Sequence, residues 1–523
     1  MTDVMGLRVT LISPPMVASH ASGFYVGRRG GPPINLAYLA RVIRDCGLEY
    51  DIIDCMAHDT PAPSTLEGFP IEGLPLDEAV SRIHPDTRIV GITSMFTSEW
   101  MVVRELAARI KRRLPGVTIL IGGEHATADT DNILTYEDAI DFVFLGESEE
   151  SLACFLRAFP EGRHRETPGI AWRGPDGRVV HTPRQQRMTR IDDLLPLWDK
   201  IDVDYYLDRG LSFSQMGKRS IPIVSTRGCP YKCTFCTNER MWGVRYVMRS
   251  PEAIVREMRE HVMRRRVEHF DFVDLATSVN KRWFHELLNA MIRDLPGISW
   301  EMTVGTRAEI LDHETLDLVR RSGNRTMGYA PETGSLSMAR KIRKKLDYPK
   351  FYESVRAAVA LGFDVKANVI IGFPDETLRE LAATIWMSLR LGWMGVKGVT
   401  ILKFMPFRGT VLGEPEFSAV WPTRGEYERA TRAQLGVEGV KVLSLRELLS
   451  NPRDQLYAGL SNFTMVASYL LCAIRRPRTL RDLAVNIWRG QPSCAVEVAI
   501  FTLLWRFRRQ VRARPPSPEP SRT

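Results

Sequence analysis

The sequence predicts an α/β chain: a Rossmann-like, doubly wound parallel sheet, then a partial (β/α)6 barrel, then a helical C-terminal region. Three observations carry this. Short apolar runs alternate with amphipathic segments, once before and once after a polar, turn-rich stretch. The runs end in turns rich in glycine, acids or cysteine. Beyond about residue 415 the apolar segments lengthen and take a helical period. The boundaries fall at 1–160, 161–215, 216–415 and 416–523.

In the first unit, Leu7–Ile12 is a buried strand stopped by Ser13-Pro14-Pro15. Gly31-Pro32-Pro33 leads into a helix over Ile34–Cys46, with Leu36, Leu39, Ala40 and Ile43 on one face. Strands follow at Tyr50–Asp54 and Arg88–Thr93, then a helix at Glu99–Leu114. Val117–Ile121 runs into Gly122-Gly123-Glu124-His125, and Asp141–Leu145 into Gly146-Glu147-Ser148-Glu149. Ligands on such sheets sit at the strand carboxyl ends. Here those ends are Thr93-Ser94, the Gly-Gly-Glu-His turn and the Gly-Glu turn. In the connector, Gly169–Trp172 and Val179–Thr182 flank Pro175-Asp176-Gly177, a hairpin signal. The rest reads as a polar segment draped between units.

The core opens with Ile221–Ser225. Strands at His269–Ala276, Ile298–Val304, Thr326–Ala330, Val365–Ile371 and Gly398–Phe404 alternate with helices at Pro251–Arg264, Trp283–Leu295, Leu311–Ser322, Phe351–Leu361 and Leu378–Leu391. Six strands with helical crossovers close as a partial barrel, whose chemistry collects at the strand carboxyl ends. In the last region Pro452–Ile474, Leu480–Trp488 and Ser493–Val511 read as helices, with Asn451 as a cap. A Pro/Ser-rich tail from Pro515 reads as disordered.

The chain has 523 residues, 71 basic and 62 acidic, for a net charge of +9. That excess is modest and does not point to a nucleic acid. Eight cysteines, three clustered and five scattered, do not form a disulfide framework and suit a reducing cytoplasm. No signal peptide stands out, and no apolar run reaches the roughly 20 residues of a spanning helix.

The three clustered cysteines stand at C-x3-C-x2-C in Arg227-Gly228-Cys229-Pro230-Tyr231-Lys232-Cys233-Thr234-Phe235-Cys236. Three thiolates on one loop suit three irons of a [4Fe–4S] cluster, because soft sulfur ligands favour iron–sulfur sites. No fourth cysteine lies nearby, so the fourth iron is left open to a ligand. A structural zinc site would want a fourth Cys or His.

The stretch "STRGCPYKCTFC" resembles the cluster loop of the radical S-adenosylmethionine (radical SAM) enzymes. "PPINLAYLARVIRDCG", "GGEHAT" and "DFVFLGESEE" resemble the cobalamin-binding domain that precedes many such cores. The resemblance implies a cluster on Cys229, Cys233 and Cys236. It also implies S-adenosyl-L-methionine (AdoMet) on the open iron, cleaved by one electron to a 5′-deoxyadenosyl radical. Cobalamin is implied against Thr93, Ser94, Gly122, Gly123, Glu124, His125, Gly146 and Glu147. In the core the resemblance implies Asp274 near the AdoMet amino group and Arg307 at its carboxylate or at a substrate anion. Glu332 is implied at the ribose or methionine, and Gly372 beside the adenine. Leu275 and Tyr329-Ala330-Pro331 depart from the commoner spellings. The D-x-H-x-x-G motif of another cobalamin class is absent, so His125 is expected to brace its turn or touch the corrin and not to ligate cobalt.

The activity implied is methyl transfer from methylcobalamin to an unactivated carbon of a natural-product or lipid intermediate. Ring closure or rearrangement without net methyl transfer is the alternative, and a cobalamin-binding sensor the non-enzymatic one. Expected partners are a small-molecule substrate and an electron donor such as flavodoxin or ferredoxin. Basic C-terminal helices are also of the kind that lies on an anionic membrane. The expected location is the cytoplasm, with the inner membrane face as a refinement.

Overall fold

The computed structural model describes residues 6–17, 30–59, 64–214, 217–413, 420–435, 452–489, 493–501 and 504. Seven strands build the first sheet: β1 (Arg8–Ser13), β2 (Glu49–Asp54), β3 (Thr87–Thr93), β4 (Thr118–Gly122), β5 (Phe142–Phe144), β6 (Ile170–Arg173) and β7 (Val179–His181). Their spatial order is 7-6-5-4-3-1-2. β1 to β5 are parallel, and β6–β7 is the expected hairpin, antiparallel at the sheet's edge. The parallel order reverses between β1 and β3, so a ligand belongs in the crevice beyond their carboxyl ends. Helices α1 (Ile34–Asp45), α2 (Trp100–Arg113) and α3 (Glu149–Ala158) cover the sheet, α1 and α3 on one apolar cluster and α2 on another. Both faces are therefore buried, which is why the strands read as continuous apolar runs.

The cluster under α1 and α3 continues through Trp198, Ile201, Val203 and Leu207 into Ile221, Phe270 and Phe272 of the second unit. The expected polar connector is thus partly core. Tyr50 Oη donates to Asp199 at 2.5 Å and Tyr206 Oη to Asp54 at 2.7 Å, fastening it to β2. Its apolar residues are too irregularly spaced to display a face in sequence.

The second unit has six parallel strands in sequence order: β8 (Ser220–Ile223), β9 (His269–Phe272), β10 (Ser299–Met302), β11 (Thr326–Glu332), β12 (Asp364–Ile371) and β13 (Gly398–Lys403). They form two three-stranded sheets, joined by parallel bridges Trp300–Asn324 and Thr306–Tyr329. Crossovers are α4 (Pro251–Arg265), α5 (Lys281–Asp294), α6 (His313–Arg321), α7 (Tyr348–Ala360) and α8 (Leu378–Trp393). Each begins where a side chain caps it: Ser250, Asn280, Asp312, Asp347 and Thr377 accept from the backbone N–H three residues on. The partial (β/α)6 barrel expected from the alternation stands.

Beyond the barrel lie, among others, α9 (Pro452–Arg475) and α10 (Arg478–Arg489). The stretch Leu456–Arg475 is long and apolar enough to cross a membrane by length and composition, against the expectation that no run reaches that length. Ser461, Thr464 and Ser468 break up the run in sequence, yet all three are buried on one face of α9. A Cβ on Gly392 of α8 would strike the Ser468 carbonyl, so the two helices touch backbone to backbone. A helix at Arg424–Leu435, not expected, returns to the first unit, where Tyr427 stacks on Tyr136 at 5.3 Å. A small antiparallel sheet of Met16–Val17, Phe69–Glu72 and Ser64–Leu66 was equally invisible in its short, Pro- and Gly-broken sequence. Asn451 and the tail from Pro515 lie outside the described residues.

Candidate active site

β8 stops at Ile223, and Thr226-Arg227 pairs antiparallel with Val247-Met248. The chain has therefore left the barrel wall when it reaches Gly228, at φ +82°. A Cβ there would strike the Arg245 carbonyl, which requires glycine at the loop's entry. Cys236 N donates to Cys233 O at 3.1 Å, Thr234 N to Ile342 O at 3.1 Å, and Leu412 N to Thr234 O at 2.9 Å. The three thiols lie in one another's electrostatic field. Burial raises the Cys233 thiol, while Lys344 and Arg307 pull it down. Phe235 meets Phe373 at 5.8 Å and Phe373 meets Phe404 at 5.1 Å, forming an aromatic wall. Among the described residues, no three Cys, His, Asp or Glu converge on a single ion. A cubane takes one thiolate on each of three irons and needs no such convergence. The donor set fits a cluster better than a lone zinc.

At the other core strand ends the structure assigns work that the sequence did not. Asp274 is buried, and its carboxylate accepts from Ser225 N at 2.7 Å, Thr226 N at 2.8 Å, Thr277 Oγ1 at 3.1 Å and also Ser225 Oγ. It braces the exit from β8 and does not present free oxygens to a ligand's amino group. Arg307 lies 3.8 Å over the Tyr231 ring and pairs with Glu309 at 2.7 Å. Glu332 ends β11 at φ +63°, a conformation a non-glycine residue adopts only when its surroundings hold it there. Its carboxylate receives Lys344 Nζ at 3.0 Å, with both groups buried. Sequence reading missed Lys344, because Lys341-Ile342-Arg343-Lys344-Lys345 looks like a solvated basic run. Arg343 at φ +53° and Lys344 N donating to Ala339 O at 2.8 Å make a helix-ending turn that points this one lysine inward. Gly372, at φ +80°, donates its N–H to Glu376 at 2.6 Å. A Cβ there would lie 3.7 Å from the Tyr457 ring of α9.

On the first sheet, Thr93 ends β3 opposite Gly122, and Ser94 N donates to Gly122 O at 2.7 Å. Gly123 sits at φ +122°, where a Cβ would be 2.5 Å from the Ser94 carbonyl. His125 is buried, shares a hydrogen bond between Nδ1 and Thr97 Oγ1 at 3.1 Å, and lies 5.1 Å from the Trp100 ring. Burial first, then the Arg408 charge, lowers its pKa to about 3, so the imidazole is neutral. Ser94 Oγ and His125 Nε2 are buried without a hydrogen-bond partner. Gly146, at φ +74°, would place a Cβ 2.9 Å from the Met241 carbonyl. The glycines let the turns pack backbone to backbone, and the two orphaned polar atoms at these strand ends suit the polar edge of a ring ligand. Burial raises the Glu124 carboxyl, and its charge is felt at Cys236.

The two sets of strand ends are tied together. Arg227, two residues before Cys229, lies 2.7 Å from Glu149 and 3.3 Å from Glu147, with its guanidinium 5.0 Å from the Tyr38 ring. Arg187 also reaches Glu147, at 2.5 Å. Glu147 therefore serves the clamp, where a corrin contact was expected. Arg408, beyond β13, pairs with Asp129 at 2.7 Å. Thr127 Oγ1 meets Met241 Sδ at 3.5 Å. A cavity of about 220 Å³ lies beside the clamp, bordered by Gly146, Glu147, Arg184 and Trp242.

Both units match known families: the B12 binding domain over residues 28–156 and the Radical SAM superfamily over 223–385. An uncharacterized methyltransferase of Pyrococcus horikoshii is 26% identical, over 74% of this chain and 78% of that protein. An anaerobic magnesium-protoporphyrin IX monomethyl ester cyclase of Rubrivivax gelatinosus is 24% identical, over 73% of this chain and 65% of its own length. The radical S-adenosylmethionine methyltransferase TsrM from Kitasatospora setae, with cobalamin and a [4Fe–4S] cluster bound, shares the fold. Its TM-score is 0.62 at 18% identity, covering 80% of this chain and 77% of that one.

Proposed function

The chain is a radical SAM enzyme with a B12-binding domain ahead of its core, and from that premise we propose that it methylates an unactivated carbon of a small natural-product or lipid intermediate. The observation that carries this reading is the clamp. Arg227 joins the Gly-Glu-Ser-Glu turn of the cobalamin-binding sheet to the entry of the cysteine loop. A methyl carrier and a radical generator can share one substrate only if held within its length. When bound, the [4Fe–4S] cluster with AdoMet supplies one-electron radical chemistry, and cobalamin supplies a transferable methyl group.

The chain's own residues then have separable tasks. Cys229, Cys233 and Cys236 would hold the cluster, with Phe235, Phe373 and Phe404 keeping water from it. Arg307 and Lys344 offset thiolate charge. Arg307 and Gly372 remain candidates for AdoMet, whereas Asp274 and Glu332 hold the loop and its lysine in place. Thr93, Ser94, Gly122, Gly123, Glu124, Gly146 and His125 Nε2 would seat cobalamin. The neutral His125 can offer one hydrogen bond to a corrin amide. A low-potential carrier such as flavodoxin or ferredoxin would supply the electron, and the basic C-terminal helices would bring the enzyme to the inner membrane face.

A second reading, ring closure without methyl transfer, is favoured by the relative named as a cyclase. One anaerobic experiment separates the two. Protein loaded with iron, sulfide and cobalamin is reduced and given AdoMet, and 5′-deoxyadenosine and methylcobalamin are followed by mass spectrometry beside Cys233→Ala. Both products, with deoxyadenosine lost in the variant, support methyl transfer. Deoxyadenosine without methylcobalamin favours ring closure, and neither product, with candidate substrates present, rejects both.

A further inference from the structure

The C-terminal helices carry a surface that the chemistry above does not use. On α9, Leu456, Phe463, Val466, Leu470 and Ile474 recur at helical spacing on one face. All are exposed, Phe463 by 70% and Ile474 by 68%. The opposite face is committed: Thr464, Met465, Ser468, Tyr469 and Cys472 are buried. On α10, Leu480 is exposed and Trp488 is 85% exposed. Arg475, Arg478, Arg481 and Arg489 are exposed in the same stretch, and none makes an ion pair with a described residue. Asp482 is the one acid of α10.

We propose that α9 and α10 form a docking surface for an anionic lipid bilayer. The helices lie in the membrane plane, the apolar stripe enters the acyl boundary, and the arginines meet headgroup phosphates. Three observations select this occupant. A spanning arrangement is closed to α9, because its buried face, Ser461, Thr464, Ser468 and Cys472 included, is packed on protein, with Ser468 against the backbone of α8 at Gly392. Four exposed guanidiniums, without an ion pair among the described residues, complement beside an apolar stripe a surface that is apolar inside and phosphate-bearing outside. An exposed tryptophan near the arginines suits the headgroup level. The surface also leads to the site. Tyr457, one residue after the start of the stripe, faces Gly372 at the carboxyl end of β12. An amphiphilic substrate dissolved in the bilayer would reach the barrel's strand ends along this one helix. The inference rests on the membrane-facing reading of these helices and is independent of methyl transfer.

The test is co-sedimentation of the cluster- and cobalamin-loaded enzyme with phosphatidylcholine vesicles, with and without phosphatidylglycerol. Anionic vesicles are expected to bind about tenfold more tightly or better, with salt weakening the difference. Phe463→Glu with Leu470→Glu should lower binding to both vesicle types, and Arg478→Glu with Arg481→Glu should abolish the anionic preference. Circular dichroism and cluster absorbance check that the variants fold. If the apolar variants do not fold, the surface arginines still decide the matter. Absence of vesicle binding overturns the proposal, as does equal binding by the arginine variants. Sedimentation velocity gives a third outcome: a dimer that dissolves on stripe substitution means that a second copy covers this face. AdoMet cleavage by the same samples reports separately on the proposed chemistry.

Discussion

At His125 burial decides the charge. The ring lies between Thr97 and Trp100, and its pKa falls to about 3, first from burial and then from Arg408. Unfolded, the group titrates near its ordinary 6.5, so between pH 6.5 and 3 the unfolded chain binds the extra proton. Stability is fully present above that window and is lost as pH falls through it, by about 2 kcal/mol between pH 7 and pH 5. Urea unfolding across this range should show that slope in the natural protein and lose it in His125→Gln. The Glu332–Lys344 pair makes a second residue-scale prediction. Removing the lysine strands a buried carboxylate, so Lys344→Met should cost about 3 kcal/mol. Adding Glu332→Gln should recover most of it, as read from denaturant midpoints. The contrast between these residues and the cysteines shows what was legible. Cys229, Cys233 and Cys236 declare themselves inside one ten-residue window. Lys344 does not, because its role depends on a left-handed residue at Arg343. Nor does Arg227, whose partner Glu147 is 80 positions away.

Strands and helices were legible wherever one period dominated. The parallel strands are buried on both faces and read as apolar runs, whereas the apolar period alone placed three of the five crossover helices two or three residues off the starts that Asn280, Asp312 and Asp347 cap. What escaped was short or long-range. The two-to-four-residue strands near Ser64–Glu72 are set by pairing with Met16–Val17. The helix Arg424–Leu435 is placed by tertiary stacking on Tyr136. Turns were legible as glycine-rich but not as to which glycine matters. Gly123 does: at φ +122°, with the Ser94 carbonyl in the way, Gly123→Ala should cost about 1–3 kcal/mol in strain and release cobalamin during gel filtration. Gly116, with no atom within 4 Å of a Cβ, is the control, and Gly116→Ala should retain cobalamin.

At the scale of the whole molecule the two units act as one body. A shared apolar cluster runs through the connector. Arg227 with Glu147 and Glu149 and Arg408 with Asp129 tie the strand ends together, and Tyr427 on Tyr136 ties a later helix to the first unit. None of these ties is written in local sequence, since each joins residues from different units. Arg227 is nearly inaccessible, and Arg187 still holds Glu147 when it is removed, so Arg227→Gln strips the largely buried Glu149 carboxylate of its arginine and should cost about 3 kcal/mol. Because the core is shared, calorimetry should show one transition moving down and not a separate melting of one unit. The central claim is that cobalamin and the cluster are held close enough to share a substrate. Electron paramagnetic resonance tests it most directly, on protein holding cob(II)alamin and the reduced cluster, beside cob(II)alamin in Cys233→Ala. We expect the cobalt signal to be broadened and to relax faster when the cluster is present. A cobalt signal with the same shape and relaxation in both samples would contradict the account.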